Sequence, residues 1–200
     1  MRYRVLERKD VEDVVDIHRD AFKGFFLTSL GRGFLRLYYT SCIASEESIA
    51  IGVWNEKDQM VGFSVGSQLS KGFHKRMIKR NLLSFVWMGT ILFFKNPKNI
   101  KRLLNNLGKN AGPEDTGEYA ELLSIGVRPE TKGKGYGKYC LECFEEELSK
   151  TDAKEVALTT DFHDNDGVIQ FYKSKGYKIF YKFVAYPDRE MLKMKKNLKE

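Results

Sequence analysis

Three glycines in five residues, Gly133, Gly135 and Gly137, sit in the stretch SIGVRPETKGKGYGKYCLECF, residues 124–144. An apolar run ends at Val127, Pro129 punctuates the chain, and a helical pattern begins at Gly135. Without a Cβ, such a turn lets backbone N–H groups approach a ligand closely. At a helix N-terminus those amides and the helix dipole favour an anion. The chemistry this spacing points to is a pyrophosphate site, with Lys132, Lys134 and Lys138 adding positive charge. No Gly-Lys-Ser/Thr follows at the interval an ATP-binding P-loop needs, and Gly-x-Gly-x-Gly is not the dinucleotide fingerprint. On the glycines alone, a tight strand–helix turn that binds nothing is the competing reading.

A second cluster, Asp161, His163 and Asp164, follows a β-type run and could relay protons, on proximity alone. Cys140 and Cys143 have metal-like or redox-like spacing. They lack a second pair or nearby histidines, and they fall inside a helical pattern, so we read them as structural and expect no metal. With Cys42 they are an odd, sparse set that suits reduced thiols in a cytoplasmic protein.

The elements that must position these groups follow from pattern. With 200 residues, 42% hydrophobic and 30% charged, the chain reads as one domain with a substantial core and not as a disordered protein. The first residues lack the apolar run of a secretory leader, and no run reaches membrane-spanning length. Residues 2–8 read as a strand. Asp10 is placed to cap a helix whose apolar face is Val11, Val14, Val15, His18 and Phe22, which makes His18 a core histidine. Residues 22–33 read as a loop with Phe25 and Phe26, and 34–43 as a helix. Two alternating runs, 48–55 and 60–67, make a hairpin. Strands follow at 118–127 and 155–160, helices at 135–149 and 165–175, and a final hairpin turns at Pro187 and Asp188.

The net charge of +7 is concentrated: residues 59–113 carry ten Lys and Arg and no Asp or Glu, leaving the remainder at −3. Within this basic insertion, at about 70–113, Phe73, Met77, Ile78 and Leu82 mark one helix face. Residues 82–94 are apolar nearly all round, and Asn96, Pro97 and Gly108 bracket a further helix. The insertion reads as a solvated face, a homodimer contact or a peripheral contact with anionic membrane. Nucleic acid is disfavoured, because the cations cluster with aliphatic residues and not along an aromatic-studded strand.

Residues 132–137, Lys-Gly-Lys-Gly-Tyr-Gly, resemble the acyl-CoA signature of the GNAT N-acetyltransferases, (Gln/Arg)-x-x-Gly-x-(Gly/Ala), with Lys132 where Gln or Arg is usual. Downstream, NDGVIQFYKSKGY is similar to the family's second motif. Asn165, Phe171, Tyr172, Gly176 and Tyr177 fall on its positions, and Val168 stands where Ala is usual. The resemblance covers residues 118–180; the first half matches in element order only.

That resemblance implies a mixed α/β fold, a mostly antiparallel sheet splayed between its fourth and fifth strands, with acetyl-CoA in the gap. It implies pantetheine contacts to the backbone of Ile125 and Val127, a pyrophosphate on Gly133 to Lys138, and Asn165 against the CoA arm. It assigns Tyr172 as general acid. Glu121 matches the base of one branch of the family, the histone acetyltransferases, whereas other branches use water. Phe25 and Phe26 fall where the family builds its acceptor pocket. The basic insertion argues against a polyamine or basic peptide as acceptor and for a small anionic amine, such as a nucleotide-linked amino sugar. Protein acetylation and a non-catalytic acyl-CoA-binding module are the alternatives.

Overall fold

The computed structural model describes residues 1–95, 115–185 and 187–198. Its spine is one seven-stranded sheet in the order β1-β2-β3-β4-β5-β7-β6. The strands are β1 (Arg2–Val5), β2 (Ser48–Trp54), β3 (Met60–Ser67), β4 (Ala120–Val127), β5 (Glu155–Asp161), β6 (Lys178–Ala185) and β7 (Arg189–Asn197). Every neighbouring pair is antiparallel except β4 and β5, which run parallel. The last hairpin enters the sheet with β7, not β6, against β5.

The helices divide between the two faces. On one lie α1 (Val11–Ala21), α2 (Phe26–Ser29), α3 (Arg32–Ile43), α4 (Phe73–Arg80) and α5 (Leu82–Lys95); on the other, α6 (Tyr136–Ser149) and α7 (Asp166–Ser174). Alternation along the strands supplies both cores. Ile49, Ile51 and Val53 of β2 join α6, whereas Ala50 and Trp54 join α1 and α3.

β4 breaks this alternation at one residue. Val65 of β3 pairs with Ser124 and Gly66 with Leu122, so Leu123 is an extra residue, a β-bulge. Before it the even-numbered Ala120 and Leu122 face α6; after it the odd-numbered Ile125 and Val127 do, and Leu123 packs on the opposite core. The bulge lies where β4 stops pairing with β5. Their register runs Ala120–Val156, Glu121–Ala157 and Leu122–Leu158, and no further pair is formed.

The structure alters two sequence expectations and leaves a third outside the described residues. The loop expected at 22–33 contains the one-turn α2. Asp10 stands at the N-terminus of α1 but makes no cap bond. Its carboxylate instead accepts from the Arg4 guanidinium at 2.7 and 2.8 Å and from the Glu7 N–H at 2.8 Å. A strong cation one strand away outcompetes the helix amides. The expected helix between Asn96 and Gly108 lies outside the described residues.

Two predictions follow from the packing. A Cβ on Gly66 would sit 2.4 Å from both the Glu121 carbonyl oxygen and the Phe144 ring. Gly66→Ala therefore overpacks the bulge, and chemical denaturation should show a loss of at least about 2 kcal/mol. His18 is buried beside Phe22 and Tyr39, and burial pushes its pKa down to about 4. The unfolded chain takes up this proton near pH 6.5, the folded chain only near pH 4. The neutral imidazole's contribution is complete above pH 6.5, is lost as pH falls toward 4, and changes no further below. It amounts to roughly 3 kcal/mol. Urea titrations at pH 7.5 and 4.5 should show a smaller acid-induced loss for His18→Gln than for the wild-type chain.

Candidate active site

Where β4 and β5 part, a cavity of about 560 Å³ opens between them. One wall is Leu122–Val127 of β4 and the other Leu158–Asp161 of β5, with Phe171 and Tyr172 from α7 and Gly137 from α6. The remaining side is aromatic: Phe22, Phe25 and Phe26 close it, with His18, Arg189 and Met191.

The polarity of the β4 wall follows from one hydrogen bond. Arg128 N–H donates to Val61 carbonyl at 2.8 Å, which makes Arg128 and Val61 a bonded pair of the antiparallel ladder. Bonded residues alternate, so Gly126 and Ser124 also turn their amides toward β3. Ile125 and Val127 direct their N–H and C=O groups into the gap. These are the two residues expected to meet a pantetheine arm, and the missing β5 pairing leaves their backbone groups open to a ligand.

The glycine turn lies at the mouth. Gly133 and Gly135 have φ of +80° and +81°, conformations that disfavour other residues. Gly135 is the N-cap of α6 and supplies no side chain; the first helical bond runs from Tyr139 N–H to the Gly135 carbonyl at 3.0 Å. The amides of Tyr136, Gly137 and Lys138 precede it and have no intrahelical acceptor. A Cβ on Gly133, Gly135 or Gly137 would meet nothing within 4 Å. Packing within the chain therefore does not explain the glycine at 137, where the helix has ordinary φ. Lys132, Lys134 and Lys138 are exposed around this turn, the last 3.7 Å from Glu142.

Tyr172 is 7% exposed, packed against Phe171 and Tyr177, and lines the cavity. Burial pushes its pKa up to about 12, so the hydroxyl keeps its proton throughout the physiological range. Asn165 is the N-cap of α7 and holds that helix to the strand end. Its amide donates to Thr160 Oγ1 at 2.7 Å and to the Asp161 carbonyl at 2.9 Å.

The structure thus gathers Phe25, Phe26, Ile125, Val127, Gly137 and Tyr172 around one cavity. Glu121 is not among the lining residues; Ser70 Oγ and Lys193 Nζ both donate to its carboxylate. Of the second acidic cluster, Asp161 lines the cavity and is held by the Arg189 guanidinium, which also stacks 4.5 Å over the Phe25 ring. His163 instead pairs with Glu190, and Asp164 sits in a positive-φ turn. Cys140 and Cys143 are buried thiols facing the sheet.

Among the lining residues that sequence reasoning did not assign to the site are His18 and Arg189. His18 Nδ1 is 2.6 Å from the Tyr39 hydroxyl, and its Nε2 has no partner among the described residues. Its position on an apolar helix face reads as core, and only the assembled cavity places it beside the site. Arg189 follows a turn and belongs to no motif.

Solved structures share this architecture. The ribosomal-protein-S18-alanine N-acetyltransferase from Escherichia coli aligns with a TM-score of 0.62 at 14% identity, over 98% of this chain and 93% of its own. PaiA N-acetyltransferase from Thermoplasma acidophilum, solved in complex with coenzyme A, gives 0.61 at 16% identity over 98% of each chain. A chimera of spermidine N-acetyltransferase SpeG from Vibrio cholerae and hSSAT gives 0.62 at 12% identity, over 100% of this chain and 97% of its own. No curated protein matches the sequence. At these identities the structures speak for the fold. The family model for the acetyltransferase (GNAT) family matches residues 11–177, across both glycine turn and cavity, and the chain belongs to that family of N-acetyltransferases.

Proposed function

We propose that this enzyme moves an acetyl group from acetyl-CoA to the primary amine of a small, anionic acceptor. The observation that carries the reading is the parted β4–β5 pair, whose cavity is lined by open β4 backbone, by Gly137 of the glycine turn and by Tyr172.

Acetyl-CoA fits these residues: it brings an acyl thioester on an amide-bearing arm with a diphosphate. Ile125 and Val127 would hold the arm as a missing strand would, and the amides of residues 133–138 would hold the diphosphate. The α6 dipole and the three lysines add to that attraction. Asn165 keeps α7 seated on β5, which sets where Tyr172 stands. Strand amides facing the gap can also stabilise oxyanion charge at the carbonyl.

Tyr172 holds a proton where charge collects on the departing sulfur. A thiol has a pKa of about 8.5, below that of the buried phenol, so the hydroxyl acts first as a hydrogen-bond donor to the thiolate. On the acceptor side, His18 is neutral at physiological pH and offers Nε2 to an amine N–H when Nδ1 donates to Tyr39. Glu121 can serve as base only by releasing Lys193 and Ser70. We favour loss of the amine proton to solvent, with Glu121 as the counter-ion of Lys193.

Two features support an anionic acceptor, with a nucleotide-linked amino sugar favoured. Among the described residues Asp161 is the carboxylate that lines the cavity, and Arg189 neutralises it, so they offer a polycation no free anion there. The Phe25–Arg189 stack offers a flat aromatic face beside a cation.

Tyr172→Phe keeps the ring packing and removes the donor. Steady-state assays should show kcat down about 10²–10³-fold, with coenzyme A affinity by calorimetry unchanged. Loss of affinity in parallel with turnover would make Tyr172 a packing residue. An acceptor screen that follows thiol release from acetyl-CoA should rank nucleotide-linked amino sugars above spermidine and lysine peptides. The reverse order would refute the acceptor class while leaving the transferase intact.

A further inference from the structure

Helix α5 is apolar on both sides. Phe85, Met88 and Leu92 face the core, and Met88 lies close to Gly33 of α3. The opposite side carries Leu83, Val86, Trp87 and Phe94, spaced for one helical stripe, with Leu82 and Phe93 beside them. Leu83 is 86% exposed, Phe94 80% and Trp87 68%. A stripe this large is unusual on a protein surface that meets only water.

The charge carried by the α4–α5 segment itself has one sign. From Lys71 to Lys95 the chain carries Lys71, Lys75, Arg76, Lys79, Arg80 and Lys95 and no acid. Glu47 pairs with Arg76 and Arg80, and Glu118 with Lys71. Lys75, Lys79 and Lys95 have no carboxylate partner among the described residues. The α4 axis turns 95° from that of α5, so the pair is too sharply bent to be one straight span, and no single described helix is long and apolar enough to cross a membrane.

We propose that the outer face of α5, with the lysines of α4, docks on the surface of an anionic lipid bilayer. The aromatic and aliphatic side chains would enter the headgroup region, and the unpaired lysines would meet the lipid charges. Charge complementarity selects this occupant over two others. A second copy meeting the same face would bring like-charged patches together. Residues 96–114, next in the chain, add Lys98, Lys101, Arg102 and Lys109 against Glu114 alone. Because α5 packs on α3, which follows the Phe25–Phe26 turn, the docking face and the acceptor side of the cavity belong to the same layer.

The two tryptophans provide the readout. Trp54 is buried under the Arg4 guanidinium, so Trp87 is the one that responds to its surroundings. With phosphatidylcholine vesicles containing about 30% phosphatidylglycerol, Trp87 emission should shift to the blue and be quenched by brominated acyl chains. Pure phosphatidylcholine should bind at least about tenfold more weakly. Lys75→Gln with Lys79→Gln should weaken partitioning about 25-fold, near fivefold per cation, with acetyl transfer unchanged. Leu83→Glu with Phe94→Glu should abolish it at unaltered coenzyme A affinity. Failure to bind either vesicle, or equal binding to both, overturns the proposal. So does Trp87 emission already blue and shielded from acrylamide without lipid, whether from a dimer by sedimentation velocity or from cover by the chain itself.

Discussion

The site depends on a parallel strand pair that ends too soon. A strand edge left without partners exposes amides that must find water or a ligand. In this chain the β4–β5 pairing ends at Leu122, immediately before the bulge at Leu123. The bulge also shifts the side-chain alternation by one. Ile125 and Val127 thus keep their side chains in the α6 core while their backbone groups face the gap. The cavity opens where this irregularity and the end of the β4–β5 pairing coincide.

Much of this was legible in the sequence, for physical reasons that differ by region. The β2–β3 hairpin follows from clean period-two alternation around a polar turn, where Asn55 Oδ1 accepts from the Lys57 and Gln59 amides. The glycine turn was legible because φ near +80° at 133 and 135 leaves few other residue choices. Placing Tyr172 required a family motif, since nothing in local periodicity separates it from Phe171. The insertion of β7 between β5 and β6 was not legible: hairpin signals fix which strands pair, not which one docks on the sheet. Asp10 misled because capping reasoning is local, whereas Arg4 reaches it from the neighbouring strand. His18 was read as a core residue, which it is; that a cavity adjoins it is a property of the assembled aromatic wall.

Charge is used in two distinct ways. On α4 and α5 it is gathered and partly unpaired, at the surface. Inside the sheet it is paired across strands. Lys193 of β7 is 6% exposed and reaches Glu121 of β4 over the intervening β5. Its neighbours are Ser70, which also donates to Glu121, and the Tyr119 ring, 5.1 Å from the ammonium. A buried ion pair contributes little net stability relative to an apolar replacement, but removing one partner strands a charge and costs several kcal/mol.

The location of the two cross-strand pairs gives them a mechanical sense. Lys193–Glu121 bridges the end where β4 and β5 are still hydrogen-bonded, and Arg189–Asp161 ties β7 to the end of β5 at the open side. One pair braces the closed end of the wedge, and the other fixes the free end of its far wall. Both donors come from β7, the strand that topology places directly behind β5. The register of β7 therefore sets two charges at once. A slip by one residue would turn both side chains to the other face, with the loss of brace and mouth together. Glu121, at the closed end, is engaged by Lys193 and Ser70 and does not line the cavity.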